Sequence, residues 1–261
     1  MSVPPEQGSA PSTTPDVSIV IPAYNEDARI GQCLTTVVDF VRSRPYSAEI
    51  IVVDDGSDDA TYALALEAAQ GFPEVTVRKI AHSGKASAVL AGLESANGQV
   101  AGFIDADLAT PMETLDACLC ALDEGYGVAI ASREGAGARR VGEPFHRHFM
   151  GRVFNGLVRL LAVPGIDDTQ CGFKFFSGDL LREILPRCRL YSSYAPVSRP
   201  RVTAFDVELL AIARLRGASI KVIPVAWVYG TSSKVNPILD TLQNVSDVVR
   251  VRYYASRGYY R

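Results

Sequence analysis

Asp105 and Asp107 stand two residues apart at the end of the apolar run VAGFIDADL (100–108), a spacing that lets both carboxylates converge on one hard cation. A Mg2+ or Mn2+ ion held this way keeps several waters and binds a nucleotide diphosphate, offsetting charge on the departing group. A D-x-D triplet is common by chance, so its weight here comes from the buried strand that precedes it. Asp54 closes a second apolar run, AEIIVVDDGS (48–57), where a carboxylate can accept an N–H from a base. Its neighbours Asp55 and Ser57 suit a turn or a helix cap before Thr61. Lys85 follows Ser83-Gly84 at the start of a helical pattern, and a cation at a helix start favours phosphate. The stretch lacks the G-x-x-x-x-G-K-[ST] of a P-loop, and the single His82 reads as structural.

These residues need a frame that brings them together. VSIVIPA (17–23) is β-branched, and an amphipathic stretch from about Asp27 to Arg42 follows it. After the run at 48–57 come a helix over 60–70, a strand VTVRKIA (75–81) and a helix over 84–98 with a Gly stop. VAGFIDADL is the fourth strand, Pro111 opens a helix reaching about Glu124, and YGVAIASR (126–133) is the fifth strand. Strands alternating with helices predict an α/β fold with a doubly wound, mostly parallel sheet, covered by helices on both faces. Ligands in such sheets bind beyond the carboxyl ends of the strands. There the chain places Asn25/Glu26, Asp54/Asp55, His82/Lys85, Asp105/Asp107 and Arg133, a ring of carboxylates and cations on one edge.

The second half is less regular. Residues 144–161 predict a helix with a wide apolar face and basic flanks, suited either to a membrane interface or to packing on the core. Residues 191–201 predict a loop, 203–215 a helix, 220–228 a last strand and 237–254 a last amphipathic helix. Residues 1–15, rich in Pro, Ser and Thr, predict a disordered leader. Residues 16–133 then form a regular first half and residues 134–261 a less regular second half.

Composition narrows the class. With 48% hydrophobic and 21% charged residues, the chain is an ordinary globular protein. It has no run of about 18 apolar residues to span a bilayer, and no basic segment followed by an apolar one to act as a secretory signal. Five cysteines without C-x-x-C spacing argue against disulfides or zinc and for buried reduced thiols in the cytosol. The net charge of −3 divides unevenly. Residues 1–132 hold 6 Lys/Arg against 19 Asp/Glu, and residues 133–261 hold 20 against 10. An acidic half suits a divalent metal, and a basic half suits an anionic acceptor or surface.

IVIPAYNE (19–26), IIVVDDGSDDAT (50–61), the GK at 84–85 and FIDADLAT (103–110) resemble the family 2 inverting glycosyltransferases with the GT-A fold. DDTQCGFKFF (167–176), AFDVELL (204–210), IPVAW (223–227) and SSKV (232–235) resemble more specifically the polyprenyl-phosphate sugar synthases. That group includes dolichyl-phosphate glucosyl- and mannosyltransferases and an actinobacterial branch making polyprenyl-phosphate N-acetylgalactosamine. The resemblance covers about residues 17–250 and implies a single GT-A type domain with its nucleotide site at the strand carboxyl ends, residues 16–133 binding the nucleotide-sugar and residues 134–261 the acceptor. It implies Pro22, Ala23, Tyr24, Glu26, Asp54, Lys85, Asp105, Ala106 and Asp107 as contacts of a nucleotide-sugar, with Asp105 and Asp107 also holding the metal. It implies Arg133 and Arg147 as the residues that hold the acceptor phosphate, and the excess of cations adds Lys174. Asp206 falls where relatives with hydroxyl acceptors place a base, or else it orients one of those cations.

The expected reaction moves a monosaccharide from a UDP-sugar, UDP-glucose or UDP-N-acetylgalactosamine, to a polyprenyl phosphate with inversion. A lipid phosphate is already an anion and needs positioning more than deprotonation. Three alternatives stay open: a sugar hydroxyl acceptor, a GDP-mannose donor, and a non-catalytic nucleotide-binding module. Ala109 stands where the mannosyl enzymes often carry Gln, Ala86 departs from the family's G-K-G, and 191–201 reads as an insertion. Many relatives carry membrane helices, so this chain is expected at the inner face of the membrane as a peripheral protein, with room for a separate membrane-protein partner. Nucleic acid is not expected as a partner.

Overall fold

The computed structural model describes residues 14–142, 156, 158, 161–191, 203–228 and 237–261, with side chains from 243 in the last segment. Residues 1–13 of the leader, the helix expected over 144–161 apart from a few positions, Arg147, and all but the first residue of the loop expected over 191–201 lie outside the described residues.

The first half follows its hydrophobic periods closely. Strands β1 (Val17–Ala23), β2 (Ala48–Asp54), β3 (Val75–Lys79), β4 (Val100–Ile104) and β5 (Val128–Ser132) alternate with helices α1 (Ile30–Arg42), α2 (Thr61–Ala69), α3 (Lys85–Leu93) and α4 (Thr114–Asp123). Later come β6 (Arg139–Val141), β7 (Phe173–Ser177), α5 (Gly178–Ile184), α6 (Phe205–Leu215), β8 (Ile220–Pro224), β9 (Ala226–Val228) and α7 (Pro237–Ser256). Seven strands form one sheet in the order β3-β2-β1-β4-β7-β5-β8, and β6 pairs with β9 in a small parallel ribbon. All neighbours in the large sheet are parallel except β7, which runs antiparallel to both β4 and β5.

Alternation along the strands divides the core into two layers. Ile19, Ile21, Ile50 and Val52 pack on one face with α1 and α4. Val20, Ile51, Val53 and Phe103 pack on the other with α3, α6 and α7. Burying a side chain such as Ile19 or Phe103 contributes about 1.5–3 kcal/mol each, so substitution on either face loosens the sheet as a whole.

Two departures from the sequence reading bear on the site. β7 belongs to the second half, yet it lies between β4 and β5 of the first. Its N-terminal end, at Phe173, is level with the carboxyl end of β4 through the pair Ile104↔Phe173. The strand was not evident because Lys174 interrupts its apolar run, although Lys174 is fully buried. The single strand expected over 220–228 breaks at Val225, whose N–H bonds Ser132 O at 3.0 Å, so β9 leaves the sheet to pair with β6.

Candidate functional site

The carboxyl ends of the parallel strands and the amino end of β7 share one edge. Asp54, at the end of β2, is 0% exposed. One of its oxygens, Oδ2, accepts the Ser57 N–H at 3.2 Å and lies 3.6 Å from Lys79 Nζ. The other, Oδ1, is buried with no hydrogen-bond partner among the described residues. A buried orphan acceptor costs about 1–3 kcal/mol, a cost removed when a donor arrives from outside.

Asp55 does something other than cap the helix before Thr61. That helix start is served by Asp59, whose Oδ1 accepts the Thr61 N–H at 2.9 Å. Asp55 reaches across to the next loop, accepting the N–H groups of Ser83 at 2.7 Å and Gly84 at 2.9 Å. The anion expected at the start of α3 is therefore the protein's own, and Lys85 remains as the group there that faces outward. His82 Nδ1 lies 2.8 Å from the same Asp55 carboxylate. The His82 ring stacks on Tyr24 at 4.1 Å and 14°, and its Nε2 is buried without a partner among the described residues. Tyr24 is carried by the β1 turn, where Asn25 takes φ 53° and donates its N–H to Ser57 Oγ at 2.9 Å. Glu26 follows, its N–H bonded to Thr61 Oγ1 at 2.6 Å and its carboxylate 2.8 Å from Arg29. Pro22 and Ala23 pair with Val53 and Asp54, which fixes the register of these two strand ends.

Asp105 and Asp107 leave β4 beside β1. Asp105 is gripped by Lys85 Nζ at 2.5 Å, and Asp107 is exposed with Oδ1 accepting the Ala109 N–H at 3.1 Å. Crowding by protein atoms and the charge of Asp105 push the Asp107 carboxyl up, against the Ala109 hydrogen bond and the cations Lys85 and Arg29. Ala106 between them is buried. Gly172 makes the close approach of β7 to Asp105 feasible, since a Cβ there would fall 2.0 Å from Asp105 Oδ2. Asp105, Asp107, Ala109, Thr110, Gly172 and Trp227 line one cleft.

The far end of the edge is built on β5 and β7. Arg133 bonds Asp168 through Nε and Nη2, both at 2.8 Å, and through its backbone N–H at 2.9 Å. Its guanidinium lies 5.3 Å from the Trp227 ring, joining it to the metal-side cleft. Burial works against the charge on Asp168, but the charge and hydrogen bonds of Arg133, with the charge of Lys174, hold its carboxyl well below the usual range.

Lys174 corrects the expectation of a phosphate contact. It is 0% exposed, and its ammonium donates to Asp206 Oδ2 at 3.2 Å and to the Cys171 carbonyl. Asp206 also accepts Gln170 Nε2 at 3.2 Å. Burial pushes the Asp206 carboxyl up, opposed by Lys174 and Lys85. Of the two roles offered by the sequence, orienting a cation is the one this geometry matches.

Sequence reasoning missed Asp168, Gly172 and Trp227, although each lies within a quoted motif. The signal lay in spacing: Asp168 and Gly172 sit just before a strand that begins on the same edge. Four cysteines are buried as expected, whereas Cys120 is exposed.

A mixed sheet of this order, with acidic side chains gathered at the β1, β2 and β4 ends, has the arrangement of the GT-A glycosyltransferase fold. Solved structures share the fold. Glucosyl-3-phosphoglycerate synthase from Mycobacterium tuberculosis in complex with uridine-diphosphate aligns with a TM-score of 0.62, covering 92% of this chain and 80% of that one at 21% identity. A mannosyltransferase from Pyrobaculum calidifontis in complex with GDP-Man and Mn2+ aligns at 0.57, covering 98% and 68% at 20% identity. Residues 18–185 match the family model described as Glycosyl transferase family 2, and the chain belongs to that family. Among its relatives, the dolichyl-phosphate beta-glucosyltransferase of Mus musculus is 34% identical across 93% of this chain and 77% of its own. That of Dictyostelium discoideum is 30% identical across 91% and 74%.

Proposed function

We propose that this chain transfers a monosaccharide from a UDP-sugar, UDP-glucose or UDP-N-acetylgalactosamine, to a polyprenyl phosphate with inversion. The observation that carries the reading is the order of groups along one sheet edge. Asp54 with its orphan oxygen comes first, then Tyr24, then Asp105/Asp107, then Arg133. At about 4.8 Å per strand, the four steps from β2 to β5 span roughly 19 Å. That is room for a base, a diphosphate, a sugar and a second phosphate in line.

In this reading Asp54 accepts a base N–H, and the Tyr24–His82 stack walls the nucleoside. Pro22, Ala23, Glu26 and Ala106 shape its bed. Asp105 and Asp107 would hold a Mg2+ or Mn2+ ion. The donor set fits, because two carboxylates line one cleft, near enough for the charge of Asp105 to push Asp107 up, with the Lys85 ammonium and the more distant Arg29 offsetting them. When bound, the ion neutralises charge growing on the departing nucleotide. Lys85, displaced from Asp105, is then placed to meet a diphosphate oxygen. Arg133, fixed by Asp168, and Arg147 from the sequence reading hold the acceptor phosphate, whose anionic oxygen attacks without prior loss of a proton. A hydroxyl acceptor would instead need Asp206 as a base, but Asp206 is 5% exposed and paired with Lys174. The GDP-mannose reading is not favoured, given the glucosyltransferase relatives and Ala109.

The test incubates the protein with UDP-sugars and GDP-mannose, a short polyprenyl phosphate, and Mn2+ or Mg2+, scoring new glycolipid. The expected result is product with a UDP-sugar only, and a raised acceptor KM for Arg133→Ala and Arg147→Ala. Transfer to free sugars but not to the lipid phosphate would overturn the reading.

A further inference from the structure

Helix α7 presents an unusual outer face. At about 100° per residue, Val249, Arg250, Arg252, Tyr253, Ser256 and Arg257 occupy an arc of roughly 160°, and all six are exposed. Asp247, Val248 and Val251 are buried on the other side. Past the helix end, Tyr259, 47% exposed, and Arg261 extend the same patch. Residues 248–261 hold four arginines and no acidic residue. Among the described residues none of these arginines forms an ion pair, and Arg257 lies 5.5 Å from the Tyr253 ring. Solvated faces normally mix signs to relieve repulsion; this one concentrates a single sign among half-exposed tyrosines.

The patch is tied to the first turn of α6, and from there through Asp206 and Gln170 to the Asp168 that holds Arg133. Tyr260 OH donates to Glu208 Oε1 at 2.8 Å, and Glu208 also takes the Arg189 N–H at 2.9 Å. Arg189 in turn lies 5.2 Å from the Tyr259 ring. Asp247 accepts the Ala204 N–H at 3.4 Å and the Tyr191 hydroxyl. Both anchors hold the first turn of α6, the turn that carries Asp206.

We infer that this arginine–tyrosine face docks on an anionic lipid surface and so presents the acceptor end of the site to the membrane. The inference rests on the proposed lipid-borne acceptor. Guanidinium groups bind headgroup phosphates in a bidentate manner, and tyrosine settles at the boundary between headgroups and acyl chains. A soluble polyanion would account for the arginines but gives the exposed Val249 and tyrosines no role.

The test is co-sedimentation of the full chain with phosphatidylcholine vesicles, with and without phosphatidylglycerol. Binding is expected only with the anionic lipid and should fall as salt shortens the screening length. Combining Arg250→Ala, Arg252→Ala and Arg257→Ala should weaken it by about a hundredfold, at about fivefold per arginine. Tyr253→Ser with Tyr259→Ser should weaken it further; the arginine set should keep the native thermal midpoint, and binding by the tyrosine set is read below its own midpoint because the two rings also pack on each other. Equal binding to neutral vesicles, an unaffected arginine variant, or single-stranded DNA binding as tight as vesicle binding and indifferent to the tyrosine changes would each overturn the inference. Transfer to a short, water-soluble polyprenyl phosphate should survive in the arginine variant. If the native chain binds vesicles but transfers nothing, the function reading fails and the docking surface stands.

Discussion

Asp168 holds Arg133 at three points, taking Nε and Nη2 at 2.8 Å and the backbone N–H at 2.9 Å. Two parallel bonds from a planar guanidinium to a carboxylate fix its plane as well as its place. The third bond anchors the backbone at the end of β5. Asp168 is 0% exposed and precedes β7, so the second half of the chain positions a cation delivered by the first.

Asp168→Asn keeps the shape and removes the charge. At neutral pH it should cost about 3 kcal/mol, the lower end for breaking a buried pair. The sign with pH follows from the depressed carboxyl. Asp168 contributes fully above its unfolded value of 3.8, and the contribution is lost as pH falls below that toward the lower folded value. Urea unfolding of both proteins should therefore show a gap that is constant near neutrality and narrows below about pH 4. A gap of the same size in strong acid would remove the charge of Asp168 from the account.

Asp107→Ala should lower kcat by about a thousandfold or more, since several kcal/mol of charge stabilisation goes with the metal. Asp107 is exposed and its removal relieves crowding with Asp105, so the thermal midpoint should hold or rise. EDTA should mimic the loss in the native chain, and full turnover in EDTA would discard the metal.

Asp54→Asn replaces the orphan acceptor with an amide. Hydrogen bonds to charged groups are worth about 1.5–3 kcal/mol, so Kd for UDP should rise about 10- to 100-fold by calorimetry with Mn2+ present. An unchanged Kd would sink the assignment of Asp54 to the base.

Gly172→Ala tests the approach of β7 to the acidic pair. Its Cβ would fall within 2.4 Å of three Asp105 carboxyl atoms, so Asp105 must turn away. Turnover and the midpoint for Mn2+ activation should both worsen, by at least about tenfold, a modest share of what metal stabilisation is worth. Native metal activation in this variant would show that Asp105 has room the geometry denies it.

The contrast between the halves explains what was legible in the sequence. β1 was bounded to the residue and β2 at its start, because VSIVIPA and AEIIVV carry β-branched runs that close in a turn or in carboxylates. That Asp54 and Asp105/Asp107 share one edge was legible because strand ends in a parallel sheet must do so. β7 was hidden because it is antiparallel and inserts between β4 and β5, a pairing no local pattern encodes. The role of Lys174 was misjudged for a related reason. A lysine in a basic half reads as a surface cation until its partner, Asp206, is brought 3.2 Å away by a helix 32 residues later.

The Lys174–Asp206 pair yields the test that separates the acceptor classes. Lys174→Met leaves a buried carboxylate uncompensated and should destabilise the fold by about 3–5 kcal/mol. Combining it with Asp206→Leu should recover most of that loss, because a buried pair replaced as a unit by apolar groups is often neutral. Activity then discriminates. If Asp206 positions its neighbours for a phosphate that already carries its charge, Asp206→Asn should retain kcat within about tenfold, well short of the 10²–10⁴-fold that general-base loss brings. A fall at the upper end of that range, with the acceptor KM unchanged, would restore Asp206 as a base and move the acceptor from a lipid phosphate to a hydroxyl.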